Sequence, residues 1–304
     1  MPSLKSRLAA ASGNLRGALW MTAAALVFAV MNGLIRMVGQ SLHGFEVAFL
    51  RAVFGCVYLL PVVIAAGGPK ILRTAVPGLH AWRAAFGGAT MLLSFYAFTR
   101  LPLAESTTIS FSAPLFMLIL AQAVLGETVG WHRRIAAGVG FVGVLIATRP
   151  GLDGVSAASA AMLLSAFTMA CGMVCVKALA RTETPLSILV IFSVAVVFID
   201  AIPAALVWRT PTFAETLWML VIAGLGTLGQ YLYIRAYRAG EASLVAPFNF
   251  LQLPFAVGIG ALLFDEAPGL STLAGGLIIV ASGLYIMQRE SAARRRAAAA
   301  SEPL

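Results

Sequence analysis

Long stretches without a single Asp, Glu, Lys or Arg alternate along the chain with short segments that hold nearly all of its charge. The charge-free stretches are 17–35, 52–69, 84–99, 106–126, 135–148, 154–176, 184–199, 216–234, 242–264 and 267–288. Crossing about 30 Å of hydrocarbon takes about 20 helical residues. Most stretches reach that length alone. The shorter ones reach it once flanking residues such as Arg83 or Trp131 are counted, their polar ends snorkelling to the headgroups. The runs are continuously apolar rather than alternating, which excludes a membrane β-barrel. The pattern predicts an all-α integral membrane protein with ten transmembrane helices.

Composition removes the soluble alternatives. The 304 residues are 60% hydrophobic and 11% charged, against about 45–50% and about 25% in a soluble domain. The net charge of +9 would suggest nucleic acid in a soluble chain. Here the cations flank apolar runs, so they read as topology signals and no nucleic-acid partner is expected. With the N-terminus in the cytoplasm, that side collects Lys5, Arg7, Arg16, Lys70, Arg73, Arg83, Arg133, Arg134, Lys177, Arg181, Arg235, Arg238, Arg289, Arg294, Arg295 and Arg296. Arg36, Arg100, Arg149 and Arg209 fall on the other side, and Arg51 lies inside the second span. This positive-inside bias predicts a bacterial inner-membrane protein with both termini cytoplasmic. The first span reads as retained rather than as a cleaved signal. The tail SAARRRAAAASEPL reads as a solvated basic segment that meets anionic membrane lipid. Cys56, Cys171 and Cys175 all lie in apolar runs and imply no disulfide framework.

The second half echoes the first. Residues 17–36 align with 158–177, and SFSAPLFMLILAQAVLGE (110–127) aligns with NFLQLPFAVGIGALLFDE (249–266). This gives a cytoplasmic N-terminus 1–16, a first five-helix repeat 17–150, a second 151–288, and a basic tail 289–304. Five spans is an odd number, so the two copies insert upside down relative to each other. Inverted repeats characterise secondary transporters, with a substrate cavity near the midplane between the halves. Glu127 is then expected on the cytoplasmic side and Glu266 on the opposite one.

The stretches LPLAESTTISFSAPLFMLILAQAVLGETV, RRIAAGVGFVGVLIATRPG and AYRAGEASLVAPFNFLQLPFAVGIGALLFDE resemble the drug/metabolite transporter superfamily in its ten-span EamA form. Within it, SLHGFEVAFLRAVFGCVYLLPVVI is similar to S-adenosylmethionine uptake carriers. The same form includes riboflavin carriers and exporters of aromatic and other neutral amino acids. The resemblance implies a carrier with a central cavity built from spans 1, 3, 4, 6, 8 and 9, and implies neither a cofactor nor an ATPase. It leaves the direction of transport open.

Polar side chains inside a membrane are costly unless they pair or line water. The candidates for substrate contact are therefore Asn32, Thr107, Ser110, Gln230, Asn249 and Gln252, with interhelical hydrogen bonding as the alternative reading of each. Ser110 and Asn249 are repeat partners, which suits the midplane. Tyr96, Phe111, Tyr233 and Phe248 are candidates for an aromatic box, against plain packing. Pro114, Pro247 and Pro254 break their helices and read as hinges. Arg51 reads as snorkelling outward or pairing with Glu46. Asp200 is the one carboxylate well inside a span, but that span is expected at the periphery. No phosphate-binding loop, HExxH or GxSxG is present, so neither an ATP-driven pump nor an intramembrane enzyme acting on lipid is supported. Alternating-access export of neutral or aromatic amino acids is the first expectation. S-adenosylmethionine or riboflavin-like uptake is the second, because the cavity spans hold carboxylates only at their ends, Glu105 and Glu241.

Overall fold

A computed structural model describes residues 4–66, 68–125, 130–149, 156–240 and 242–300. Glu127 and Glu241 lie outside the described residues. The helices are α1 (Leu4–Val38), α2 (Gly44–Ala65), α3 (Pro77–Phe98), α4 (Leu103–Ser110), α5 (Ala113–Leu125) and α6 (Trp131–Thr148). The second half holds α7 (Ala157–Leu179), α8 (Pro185–Leu206), α9 (Phe213–Ala239), α10 (Ala242–Val245), α11 (Gln252–Phe264) and α12 (Leu270–Ala300). The fourth span is α4 plus α5. The ninth is α10, a 3-10 turn (Ala246–Leu251) and α11. Ten spans result, all helical.

Eight spans are long and apolar enough to cross a bilayer outright. The other two, α3 and α6, carry Arg83 and the pair Arg133–Arg134 near their starts, which lowers their apolarity. Both still run within the bundle, α3 against α7 and α6 against α12.

Caps at the helix starts fix several boundaries. His43 and Glu46 form a capping box at α2, and Thr212 and Glu215 form one at α9. Ser156 and Thr184 cap α7 and α8. These side chains satisfy amides that a helix start leaves free.

The inverted two-fold shows in the packing. Span 1 packs on span 8 (α1–α9), and span 3 packs on span 6 (α3–α7), which is the same seam seen from the other half. Likewise α2–α9 has its counterpart in α3–α8. Spans 2 and 7 meet each other as α2–α8, and spans 5 and 10 as α6–α12. The α6–α12 seam is made close by small residues. A Cβ at Gly275 would stand 2.5 Å from the carbonyl oxygen of Gly143. Close backbone approach of this kind holds membrane helices together where lipid gives no hydrophobic drive. We call the face where α1 begins proximal and the face where α1 ends distal.

Candidate functional site

The two broken spans face each other across the repeats. In the run TTISFSAP, Pro114 has no N–H to give to Ser110, and the chain turns at Phe111–Ser112. Ser110 Oγ donates to the Thr107 carbonyl at 2.7 Å, and the Ser112 amide donates to the Ile109 carbonyl at 3.0 Å. In span 9, Pro247 sits inside the 3-10 turn and Pro254 is the third residue of α11. The rings of Phe111 and Phe250 meet edge to face with centroids 5.0 Å apart. These two residues are repeat partners, each following Ser110 or Asn249, so the contact lies on the pseudo-two-fold.

Around this contact lie three buried hydroxyls without a partner among the described residues. Thr107, Thr108 and Ser112 have no exposed surface, and their hydroxyls have no hydrogen-bond partner among the described residues. Thr108 faces α12, where a Cβ at Gly276 would come 3.3 Å from its Oγ1. Asn32 is buried on α1. Its neighbour Gly33 is the point where α1 meets α11, a Cβ there standing 2.8 Å from Ile259. Asn249 and Gln252 are half-buried on the 3-10 turn and at the start of α11, and Phe248 beside them is exposed. Pro114 and Pro254 are exposed and Pro247 is half-buried.

The structure thus brings Thr107, Ser110, Phe111, Asn249 and Gln252 to the two breaks, with Asn32 on the helix packed against them. Three other candidates stand apart. Tyr96 lies at the distal end of α3, with Arg100 3.8 Å over its ring and Phe45 and His43 beside it. Tyr233 packs with Tyr237, Met21 and Val245 near the proximal ends of α1 and α9. Gln230 is exposed on α9. Thr108, Ser112 and Phe250 join the cluster without having been singled out in the sequence. The density of hydroxyls in STTISFS was the available signal.

A cross-repeat seal closes the distal side. Arg36 of α1 pairs with Glu266, which follows α11, and also donates to the Leu101 carbonyl. Glu266 accepts in addition from the Leu103 amide at 2.9 Å, at the start of α4. Glu105 on α4 accepts from Ser159 on α7 at 3.1 Å. Glu215 accepts from Ser41 at 2.6 Å, and Glu46 accepts from the backbone amides of His43 at 2.8 Å and Arg209 at 2.5 Å. On the proximal side α5 leans on α7 and α6, whereas α10 and the 3-10 turn lean on α1. Cross-repeat contacts are present on this face as well: Thr74 donates to Glu183 at 2.5 Å and Ser187 to the Ile71 carbonyl at 3.0 Å, and Leu115 and Leu118 of α5 share an apolar cluster with Phe250 and Leu253 of span 9.

The surface grooves lie elsewhere. One of about 520 Å³ runs between α5 and α6, lined by Leu118, Gln122, Arg134 and Phe141. Another of about 450 Å³ lies between α2 and α8, at Phe49, Ala204 and Trp208. At the centre, where a cavity is expected, the rings of Phe111 and Phe250 meet.

Arg51 neither reaches the headgroups nor pairs with Glu46, whose oxygens are taken by backbone amides. Its guanidinium turns inward, 5.9 Å over the Phe95 ring, with Met91 Sδ 3.6 Å away.

Comparison with known proteins agrees with this architecture. The chain matches the EamA-like transporter family over residues 15–149 and 156–288. It is 33% identical over 259 residues to the S-adenosylmethionine uptake transporter of Rickettsia bellii, covering 85% of this chain and 88% of that one. It is 31% identical over 287 residues to the riboflavin transporter of Vibrio cholerae serotype O1, covering 93% and 96%. It is 29% identical over 269 residues to the pseudopaline exporter CntI of Pseudomonas aeruginosa, covering 87% and 93%. A solved crystal structure shares the fold at a TM-score of 0.59, over 90% of this chain and 95% of that one, with 18% identity. Two inverted five-span halves, broken spans facing each other at the centre, and a family match that runs through both halves together make this chain a multi-pass membrane transporter of the EamA-like family.

Proposed function

We propose that the chain is a secondary carrier in the bacterial inner membrane that takes up S-adenosylmethionine or a close relative. The observation that carries this reading is the cross-repeat break, where two aromatic rings meet beside three buried hydroxyls that have no hydrogen-bond partner among the described residues. A substrate that parts Phe111 from Phe250 gains two ring faces. Adenine stacks on such faces, and a sulfonium cation is drawn to them without a carboxylate partner. Thr107, Thr108, Ser112 and Asn32 supply the hydrogen bonds that a ribose and an amino-acid head require. The similarity to S-adenosylmethionine carriers supports the same substrate.

The carrier works by alternating access. The proximal side, cytoplasmic by the Lys and Arg distribution, opens between α5 and the first part of span 9. The Arg36–Glu266 seal holds the distal side shut in this state and must part in the other. Pro114, Pro247 and Pro254 are the hinges.

Radiolabelled S-adenosylmethionine, riboflavin, phenylalanine, threonine and methionine, offered to proteoliposomes, test the substrate. We expect saturable exchange of S-adenosylmethionine. Phe111→Ala should weaken it by about 2- to 30-fold, the worth of a cation–π contact of roughly 0.5–2 kcal/mol. Movement of phenylalanine or threonine instead would restore the amino-acid export reading. Movement of none of the five would remove both.

A further inference from the structure

A second polar feature lies away from the breaks and has no part in holding substrate. Asp200 is the only charged residue of α8. That helix is peripheral, but this side chain turns inward and has no exposed surface. Neither carboxylate oxygen has a hydrogen-bond partner among the described residues. Arg51 of α2 lies one turn along α3 from it, at Met91 where Asp200 is at Gly88, yet among the described residues no ion pair joins them. The Arg51 Nε is likewise buried and unbonded.

The surroundings make room for these two groups. A Cβ at Gly88 of α3 would stand 3.1 Å from Asp200 Oδ1. One at Gly226 of α9 would stand 2.8 Å from Arg51 Nη2. The elements packed on α8 are α2, α3 and the 3-10 turn Gly68–Leu72. From α2 the facing charge is Arg51. On α3, the Arg83 guanidinium lies over the Phe192 ring at 3.8 Å with Nη1 2.5 Å from where a Cβ at Gly87 would stand, next to Gly88, and His80 is close to Glu183. On α9 the facing residue is Gly226, which carries no charge.

A pair kept only for stability would be in contact and doubly hydrogen-bonded, because separated charges in the membrane are expensive. Here α2 belongs to the first repeat and α8 to the second. Rocking of the halves must therefore change the spacing of the two groups. Closer approach of Arg51 favours the ionised carboxylate, and withdrawal favours the protonated one.

We propose that Asp200 is the proton-binding site that couples transport to the pH gradient, with Arg51 setting its affinity as the repeats move. One carboxylate oxygen takes a proton from water on one face and gives it back to water on the other. Nothing else is oxidised, reduced or transferred. The proposal rests on the carrier reading above, and its substrate arm on S-adenosylmethionine.

Two measurements on the full chain test it and separate it from the substrate reading. The first needs no substrate. Infrared titration of the protein in lipid should show the carbonyl stretch of a buried carboxylic acid that vanishes in Asp200→Asn and shifts in Asp200→Glu. The second uses proteoliposomes and S-adenosylmethionine. One pH unit coupled to one proton supports about tenfold accumulation. Asp200→Asn should exchange substrate for substrate yet accumulate no gradient, while Asp200→Glu keeps part of it. Wild-type protein with no titrating acid band, or Asp200→Asn that still accumulates with the pH gradient, overturns the proposal. A titrating band without S-adenosylmethionine exchange leaves the proton site standing and removes the substrate.

Discussion

Thr107, Thr108 and Ser112 carry buried hydroxyls with no hydrogen-bond partner among the described residues. A protein hydrogen bond contributes about 0.5–1.5 kcal/mol, and an unmet buried donor costs about 1–3 kcal/mol. Replacing one of these hydroxyls by a methyl group should therefore not weaken the fold. For Thr107→Val we expect an unchanged or raised melting temperature in detergent. Loss of one substrate hydrogen bond should raise the transport KM by roughly tenfold. A fall in melting temperature with unchanged KM would make Thr107 a packing residue. The contrast is Glu46, which caps α2 and holds the Arg209 amide. Glu46→Ala should lower stability by about 1–2 kcal/mol, read as an earlier thermal transition. Some residue placements were legible in the sequence. Ser110 and Asn249 were, because the repeat marks them as symmetry partners. The rotation of an individual helix was not. Lipid and bundle interior are equally apolar, so a charge-free run does not say which arc turns inward. Gln230 is therefore exposed and Asp200 buried, although both sit in apolar stretches.

At the scale of elements, proline marked the breaks but not their places. The missing amide of Pro114 frees a carbonyl four residues earlier, and the turn forms at Phe111–Ser112 rather than at the proline itself. In span 9 the irregular backbone gathers around Pro247, ahead of Pro254. Restoring an amide in the fourth span should let α4 and α5 join more readily. Pro114→Ala is expected to slow turnover several-fold while leaving substrate affinity near wild type, measured by exchange rate against equilibrium binding. Unchanged turnover would deny this proline a hinge role. The α6–α12 seam behaves differently, because no movement is asked of it. Gly275→Val places atoms where the Gly143 carbonyl and Ala147 already stand. Overpacking of this kind costs about 1–3 kcal/mol, so an earlier melting transition in detergent is expected. The seam itself was legible only as Gly-rich sequence at the end of each half.

Over the whole molecule, the span count and the inverted halves were readable from charge gaps and the internal repeat, and the family from the resemblance carried by the fourth, fifth and ninth spans. The conformational state was not. It depends on side chains from different repeats, Arg36 with Glu266 and Glu105 with Ser159, and no local pattern announces such pairs. The Arg36–Glu266 seal lies at the distal side, and its repeat counterpart at the proximal side falls on Glu127, outside the described residues. A carrier needs such a seal to open on one face while the other face closes. The most direct test places single cysteines at Ser110 and at Asn249 in a chain whose Cys56, Cys171 and Cys175 are replaced. A membrane-impermeant thiol reagent is then applied from each side of reconstituted vesicles, with and without S-adenosylmethionine. The account predicts labelling of both positions from the proximal side, protection of both by substrate, and distal labelling only after Glu266→Gln breaks the seal. Labelling of either position by lipid-soluble reagent alone, indifferent to substrate, would contradict it.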